Sequence, residues 1–216
     1  MLDTLAIVKT PAAARRLFPA ALWKIRAKEK KMYLTFDDGP IEEVTPQVLD
    51  ILKQYNAKAT FFCIGKNINA NPHIFKRLIA EGHTVGNHTQ DHLNGWQVES
   101  ALYFKNVATG RESLMQYRNE EPSRIFFRPP YGKLTLPQYN YLKKHYKIVM
   151  WDILSFDFDL KITKEEVLEN VLKNAVSGSI IVFHDSLKAS ENMLYALPKV
   201  LEHYTSLGYQ FESLRE

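Results

Sequence analysis

Short apolar runs alternate with longer amphipathic stretches along most of the chain. Several of the runs are apolar at nearly every position, which is typical of strands that are buried on both faces. The predicted strands are 32–36, 59–64, 84–86, 124–127, 147–151, 179–183 and 209–212. The predicted helices are 46–55, 72–81, 97–117, 135–145, 163–175 and 190–206. Because a strand is followed by a helix about seven times, the pattern predicts an α/β fold with a parallel sheet.

The length of the chain, 216 residues, favours one α/β domain over two. No glycine-rich phosphate-binding loop follows a predicted strand, which favours a barrel over an open doubly wound sheet. We therefore expect a distorted (β/α) barrel of about seven parallel strands, similar to a TIM barrel. Residues 31–216 would form this domain, and residues 1–30 would be a basic segment that packs on the barrel or leads into it.

The basic character of the chain is concentrated in its first 31 residues. These carry eight Lys and Arg against two acids, whereas the rest of the chain carries 20 basic and 22 acidic residues. The body of the protein therefore has no positive surplus, which argues against nucleic acid as a partner. The basic segment would allow weak peripheral contact with an anionic membrane. We favour a solvated helix that packs beneath the domain through Leu17, Leu22, Trp23 and Ile25.

Nothing in the sequence demands an oxidising compartment or a membrane span. Cys63 is the only cysteine, so no intrachain disulfide forms, and it lies in an apolar run that predicts burial. No segment approaches the ~20 apolar residues that cross a bilayer, and no signal-peptide core is visible. The expected location is cytoplasmic, and the oligomeric state stays open.

Polar side chains that would be costly in a core follow the ends of the predicted strands. These side chains are Asp37, Asp38, His88, Arg128, Asp157, His184 and Asp185. Residues at the carboxyl ends of barrel strands meet at one rim, which is where reactive groups of such barrels lie. We therefore expect a functional site at that rim.

Two motifs indicate a metal site. Asp37 and Asp38 are adjacent carboxylates and are costly to bury without a cation, although Asp-Gly is also an ordinary surface turn. His88 and His92 are four residues apart, a spacing that brings both rings to one side of a helical turn. One carboxylate with two histidines leaves coordination positions open, as in catalytic metal sites.

Two further residues admit both a structural and a chemical interpretation. Arg128 follows two phenylalanines and, if buried, needs a carboxylate partner. It would then form either a structural ion pair or part of a site whose double proline stiffens the next loop. His184 ends a buried strand, where most histidines are core residues; beside Asp157 it would instead be a general acid.

These segments, in this order, resemble the motifs of the polysaccharide deacetylase family, also called carbohydrate esterase family four. The matching motifs are TFDDGP at 35–40, ATFF and IG within 59–65, HTxxH at 88–92, RPPYG at 128–132 and FHD at 183–185. The resemblance runs from about Lys31 to the C-terminus. It implies a distorted barrel and a metal-dependent hydrolase that removes acetyl groups from N-acetylated, or O-acetylated, sugars or polysaccharides.

The resemblance also implies the residues that activate water. Asp38, His88 and His92 would bind a divalent cation, with Zn²⁺ favoured and Co²⁺ or Ni²⁺ also suitable. Asp37 would be the base that takes a proton from a metal-bound water, which then attacks the acetyl carbonyl. Arg128 would hold Asp37 in place.

The remaining roles also follow from the resemblance. His184, oriented by Asp157, would be the acid that protonates the leaving amine, and the Tyr131 backbone N–H would stabilise the oxyanion. The predicted substrate-binding residues are Pro129, Tyr131, Phe158 and Val182. The family usually has tryptophan where this chain has Phe158, and leucine where it has Val182. Both positions wall the acetyl pocket, so its shape is expected to differ here.

Two other functions fit parts of the pattern. A non-haem Fe(II) oxygenase also uses two histidines and one carboxylate. A carbohydrate-binding relative without activity would keep the same fold. Asp37, Arg128 and His184 fit hydrolysis better than oxygenation, and the presence of every expected acid, base and ligand argues against an inactive relative.

Overall fold

Seven parallel strands form a curled half-barrel, and an eighth pairs with the first of them, in the computed structural model, which describes residues 7–26, 28–118 and 124–215. The strands are β1 (Lys31–Asp37), β2 (Ala59–Cys63), β3 (Thr84–Asn87), β4 (Ile125–Phe127), β5 (Tyr146–Ile148), β6 (Ile153–Leu154), β7 (Ile180–His184) and β8 (Gln210–Phe211). Their order is β5-β4-β3-β2-β1-β7-β6, and β8 pairs with the start of β1. Every one of these pairs is parallel. The predicted fold class is therefore confirmed.

Helices connect the strands and cover the outside of the sheet. They are α1 (Ala12–Leu17), α2 (Thr45–Gln54), α3 (Gly65–Ala70), α4 (Pro72–Ala80), α5 (Ser100–Met115), α6 (Leu136–Leu142), α7 (Lys164–Leu172) and α8 (Ser190–Ser206). A threonine N-cap in a capping box directly precedes both α6 and α7 and satisfies backbone N–H groups of the first turn. None of the helices in the described ranges is long and apolar enough to cross a membrane.

The central strands are buried on both faces, as their continuous apolar sequences predict. Leu34 and Phe36 of β1 face a core beneath the helices, whereas Tyr33 faces a smaller cluster inside the half-barrel. The Phe36 ring stacks on Phe61 of β2 at 5.0 Å and lies 6.1 Å from Phe183 of β7. This packing fixes the three strands that lead to the site.

The N-terminal segment, residues 7–26, pairs with both edges of the curled sheet. The Leu154 N–H of β6 donates to the Val8 carbonyl at 2.9 Å. On the other edge, the Leu22 N–H donates to the Ile148 carbonyl of β5 at 2.8 Å. Because an unpaired edge strand leaves backbone groups without partners, this segment completes the hydrogen bonding of the open side.

The sequence prediction for the N-terminal segment was wrong in one respect. The helix there is short and ends at Leu17, whose side chain is 69% exposed rather than packed beneath the domain. Leu22 and Ile25 do pack against an apolar cluster, but from an extended chain.

Two elements were not predicted, namely α3 and β6. The single strand predicted over 147–151 is replaced by β5 and the two-residue β6. Such a short strand gives no periodic signal, because hydrophobic periodicity needs several residues to be recognised.

Candidate metal centre

The carboxyl ends of four strands bring polar side chains to one rim of the half-barrel. Asp37 ends β1 and His184 ends β7, and these two residues are partners in the register of that parallel pair. His88 directly follows β3, and Arg128 directly follows β4. Residues that are remote in sequence therefore meet at the edge expected for them.

Asp38, His88 and His92 form a group that fits a metal ion. His92 Nε2 lies 3.2 Å from Asp38 Oδ1, and His88 Nε2 lies 3.8 Å from the same oxygen. One ligand atom of each residue lies within 4.8 Å of the other two. Asp38 Oδ1 is buried and accepts no hydrogen bond, which is costly unless a cation compensates it. Three such ligands leave coordination positions free for water and substrate.

Burial keeps both histidines neutral, as metal ligation requires. Burial lowers the pKa of His88, and burial together with the neighbouring His88 lowers the pKa of His92 to about 4. His88 Nδ1 donates a hydrogen bond to the Arg128 carbonyl oxygen at 2.7 Å. This bond fixes the tautomer and leaves the Nε2 lone pair on the side of Asp38.

An irregular loop carries the two histidines, whereas the sequence predicted a helical turn. Thr89 has φ 66° and His92 has φ 57°, both in the left-handed region. Asn106 of α5 secures this loop, because its Oδ1 accepts hydrogen bonds from the N–H groups of Gln90 and Asp91, each at 3.0 Å. The rings therefore meet through tertiary contacts rather than through helical spacing.

Asp38 also has a left-handed backbone, with φ 86°. The next residue, Gly39, is packed against the buried carboxylate of Asp185, which accepts the Gly39 N–H at 3.0 Å and the Thr45 hydroxyl at 2.6 Å. A Cβ on Gly39 would lie 1.9 Å from Asp185 Oδ2. Asp185, to which the sequence assigned no role, thus fixes the turn that presents Asp38.

Asp37 and Arg128 form a buried ion pair beside the metal group. Arg128 Nη1 donates to Asp37 Oδ1 at 2.7 Å and to the Thr35 hydroxyl at 2.7 Å. The guanidinium also stacks on Phe62 at 4.1 Å and is fully buried. No described residue donates to Asp37 Oδ2, and Asp37 lines the cavity over the metal group. Asp37 is therefore held at one oxygen and free at the other.

His184 and Asp157 form the second charged pair. Asp157 Oδ1 accepts from His184 Nδ1 at 2.8 Å, and Oδ2 accepts from the His184 backbone N–H at 2.7 Å. Burial alone would lower the pKa of His184, but the Asp157 charge and hydrogen bond outweigh it and raise the pKa to about 9. The imidazolium form is thus favoured at neutral pH, with Nε2–H not engaged by Asp157.

One cavity of about 660 Å³ is lined by Asp38, His88 and His92, and also by Asp37 and His184 from the two charged pairs. All four predicted substrate-binding residues, Pro129, Tyr131, Phe158 and Val182, line it. The Phe158 ring meets the His184 ring edge-on at 4.9 Å, and the Tyr131 ring lies 4.7 Å from that of His92. The Tyr131 N–H has no acceptor among the described residues. The Tyr131 N–H is therefore free to donate a hydrogen bond to a ligand in the cavity.

Six lining residues were missed by the sequence analysis: Gly132, Lys133, Trp151, Leu154, Ser186 and Lys188. Trp151 was assigned to the end of the predicted strand 147–151, and Leu154 lies beyond it, in the strand β6 that was not predicted. Asp157 correspondingly follows β6, not the fifth strand as predicted. Trp151 ends the predicted strand 147–151, and residues at that end of a barrel strand are expected to lie near the site. Its position in the sequence could therefore have identified it as a lining residue.

Comparison with known proteins agrees with this geometry. The chain is 34% identical over 196 residues to a peptidoglycan-N-acetylglucosamine deacetylase of Bacillus cereus, which covers 90% of this chain and 91% of the relative. It is 32% identical over 182 residues to a chitooligosaccharide deacetylase of Azorhizobium caulinodans, covering 80% and 81% of the two chains. The crystal structure of the Bc1960 peptidoglycan N-acetylglucosamine deacetylase superposes with a TM-score of 0.85 and 33% identity, over 95% of each chain.

The polysaccharide deacetylase family model matches residues 24–147, which is more than half of the chain. This match includes the motifs around Asp37, Asp38, His88, His92 and Arg128. The chain therefore belongs to the polysaccharide deacetylase family of metal-dependent carbohydrate hydrolases.

Proposed function

We propose that this protein removes acetyl groups from the N-acetylated sugar units of a glycan. The observation that carries the proposal is the convergence of the Asp38–His88–His92 group with Asp37 and His184 in one cavity. The relatives named above, which act on peptidoglycan N-acetylglucosamine and on chitooligosaccharides, support an N-acetylglucosamine-containing substrate. We propose Zn²⁺ as the cation, because one carboxylate and two neutral imidazoles are typical zinc ligands.

The free oxygen of Asp37 would act as the general base. A cation bound by Asp38, His88 and His92 would supply Lewis acidity and make nearby water easier to deprotonate. Asp37 Oδ2 would accept the proton, while Arg128 holds Oδ1 at 2.7 Å and keeps the carboxylate oriented. The water oxygen forms a bond to the acetyl carbonyl carbon, and the Tyr131 N–H would donate to the developing oxyanion.

His184 would complete the reaction as the general acid. Its pKa of about 9 keeps the imidazole protonated at neutral pH, and Asp157 holds the ring through Nδ1. The proton on Nε2 is therefore available to the amine nitrogen as the C–N bond breaks, because an unprotonated amine is a poor leaving group. The products are acetate and the free amino sugar.

The oxygenase alternative is not favoured by the surroundings of the metal group. Asp37 and the His184–Asp157 pair supply a base and an acid that hydrolysis uses and that oxygenation does not require. An inactive binding relative would not need these groups either.

Acetate release from N-acetylglucosamine oligomers and from peptidoglycan tests the proposal. We expect release by the metal-loaded protein, loss after chelation and recovery after Zn²⁺ is returned. Asp37→Asn should lower kcat by at least ~100-fold while metal content is unchanged, since positioned bases contribute about 10²–10⁴-fold. Undiminished release by thoroughly chelated protein would refute the proposal.

A further inference from the structure

A single stretch of chain after β5 contributes three apolar side chains to the catalytic cavity. They belong to Trp151, Leu154 and Phe158, and we call these three residues the inner wall. The Phe158 ring meets the His184 ring edge-on at 4.9 Å, and Leu154 is the register partner of Val182 in β7. The inner wall therefore borders the place where His184 would protonate the substrate.

An acyl group bound for hydrolysis would lie against the inner wall. His184 would protonate the amide nitrogen, so the acyl carbon bonded to that nitrogen must also lie close to the His184 ring. Val182 precedes His184 by two residues on β7 and therefore points to the same face of the strand. Leu154, Phe158 and Val182 all line the cavity on this side. The position of the inner wall thus determines how much room an acyl group has.

The strand that carries the inner wall has few hydrogen bonds of its own. β6 is two residues long and pairs with β7 on one side. On its other side, the Leu154 N–H donates to the Val8 carbonyl at 2.9 Å, and the Thr10 N–H donates to the Asp152 carbonyl at 2.9 Å. Because a short edge strand opens easily when one side is unpaired, residues 8–10 hold β6 in place.

An ion pair joins the N-terminal segment to the same stretch of chain. The Asp152 carboxylate is fully buried, accepts the Ser179 hydroxyl at 2.6 Å and forms an ion pair with Arg15. Arg15 Nη2 also donates to the Thr10 carbonyl at 3.2 Å, and the Thr10 hydroxyl donates to the Trp151 carbonyl at 2.8 Å. Removing the cation from a buried carboxylate is strongly destabilising. Arg15 therefore fixes both the segment and the residue that begins the inner wall.

We infer that Arg15 is a positioning residue for the reaction, which holds the inner wall in place and thereby limits the size of the acyl group that the cavity accepts. The inference rests on the proposed function and extends it, because selectivity for acetyl over larger acyl groups then depends on the N-terminal segment. Arg15 does not line the catalytic cavity. It acts through Asp152 and through Thr10, which hold the two ends of the backbone that leads into β6.

The test compares glucosamine dimers that carry either N-acetyl or N-propionyl groups. An ordered apolar pocket discriminates against one extra methylene by about 10–200-fold in kcat/KM. In Arg15→Met the inner wall is free to move, so the ratio of kcat/KM for propionyl to that for acetyl should rise by about five- to tenfold. Thr10→Val removes only the hydroxyl bond to the Trp151 carbonyl and should raise the same ratio by a smaller factor.

Two further variants separate positioning from a loss of stability. Arg16→Met is the matched control, because Arg16 is an exposed arginine on the same helix, and it should leave the ratio unchanged. Arg15→Lys keeps a positive charge beside Asp152 and should restore most of the selectivity. Instability alone would lower turnover of both substrates in the same proportion. An unchanged ratio in Arg15→Met would therefore overturn the inference while leaving the proposed deacetylation in place.

Amide hydrogen exchange tests the positioning without the reaction. The Leu154 and Ser155 amides should exchange faster in Arg15→Met than in Arg16→Met, whereas the Ala57 amide, which donates to the Leu52 carbonyl far from the cavity, should not change. If the unaltered protein releases no acetate, the proposed deacetylation fails, but the exchange still decides whether Arg15 holds the inner wall. Unchanged exchange at both wall amides would overturn the inference.

Discussion

One carboxylate oxygen of Asp37 accepts a hydrogen bond from Arg128, and one carboxylate oxygen of Asp157 accepts a hydrogen bond from His184. Their second oxygens differ. Asp157 Oδ2 accepts the His184 backbone N–H, whereas Asp37 Oδ2 receives no hydrogen bond from a described residue. A carboxylate with a free oxygen can accept a proton during the reaction, and one with both oxygens engaged can only orient its partner. These hydrogen bonds support the proposed roles of Asp37 as the base and of Asp157 as the residue that orients the acid.

Replacing Asp157 should change the pH dependence of the reaction. Because Asp157 raises the pKa of His184 to about 9, the protonated acid is lost as the pH rises through that value, or somewhat lower with the cation bound. Asp157→Asn removes the charge, so the pKa falls and the alkaline limb of kcat should move to lower pH by about one to three units. Asp50→Asn, at an exposed carboxylate paired with Arg77, is the control. An unshifted limb would exclude His184 as the titrating acid.

Removing one ligand should lower metal affinity as well as turnover. His88→Ala takes away one of three predicted ligands, and we expect zinc affinity to fall by more than the ~10–100-fold typical of changes around a metal site. Metal content measured after gel filtration checks this directly. His145→Ala, at an exposed histidine outside the cavity, should keep full occupancy. Equal metal content in both variants would contradict the ligand assignment.

Among the elements, α5 determines the shape of the histidine-bearing loop. Asn106 accepts the two loop N–H groups and donates to Asp91 Oδ2 at 2.6 Å. One turn later, Gly110 lets the helix approach closely, since a Cβ there would lie 2.7 Å from Asn87 Oδ1. The histidine-bearing loop after β3 therefore depends on a helix that contributes no ligand itself.

Breaking the contact between α5 and the loop should weaken the metal site without touching a ligand. Asn106→Ala removes the side-chain acceptor of the Gln90 and Asp91 N–H groups and leaves Gln90 only the Asn106 backbone carbonyl at 3.1 Å, so the loop 88–92 should exchange its amide hydrogens faster. We expect metal affinity to fall by about tenfold, as for other residues that support ligands. Thr109→Ala, on the same helix with only a hydroxyl bond to the Lys105 carbonyl, should change neither measurement. Unaltered exchange in Asn106→Ala would show that the loop holds its shape without α5.

At the scale of the whole molecule, the curled sheet depends on the N-terminal segment for the pairing of its edges. Val8 pairs with β6, and Leu22 pairs with the chain just after β5. Because these bonds satisfy backbone groups at both edges, residues 7–26 stabilise the sheet as a whole.

A proline at Leu22 tests the edge pairing. Leu22→Pro removes the N–H that donates to Ile148 at 2.8 Å, and we expect the free energy of unfolding to fall by about 1–3 kcal/mol. Lys28→Pro, at an exposed residue whose N–H has no acceptor in the described structure, should cost much less. Denaturant titration of both variants measures the difference. Equal stability of the two would mean that the segment does not close the sheet.

The parts of this architecture that the sequence predicts are those with strong local signals. The buried strands β1, β2 and β7 are continuous apolar runs, and the ligand motifs stand at strand ends. The family resemblance stated from those motifs is confirmed by the family match. The remaining features depend on distant contacts: Thr89 is left-handed within a loop secured by α5, and Leu22 is extended because it meets β5. Leu17 was assigned to the core from its place in a helical pattern, yet α1 ends there with its side chain outward.

The proposed reaction requires that Asp38, His88 and His92 bind one cation inside the catalytic cavity. Anomalous X-ray scattering at the zinc edge, from crystals of the zinc-loaded protein, tests it most directly. We predict one strong peak bonded to Asp38 Oδ1, His88 Nε2 and His92 Nε2, at about 2.0–2.2 Å from each. A peak at any other place in the molecule, with none between these three atoms, would contradict the account.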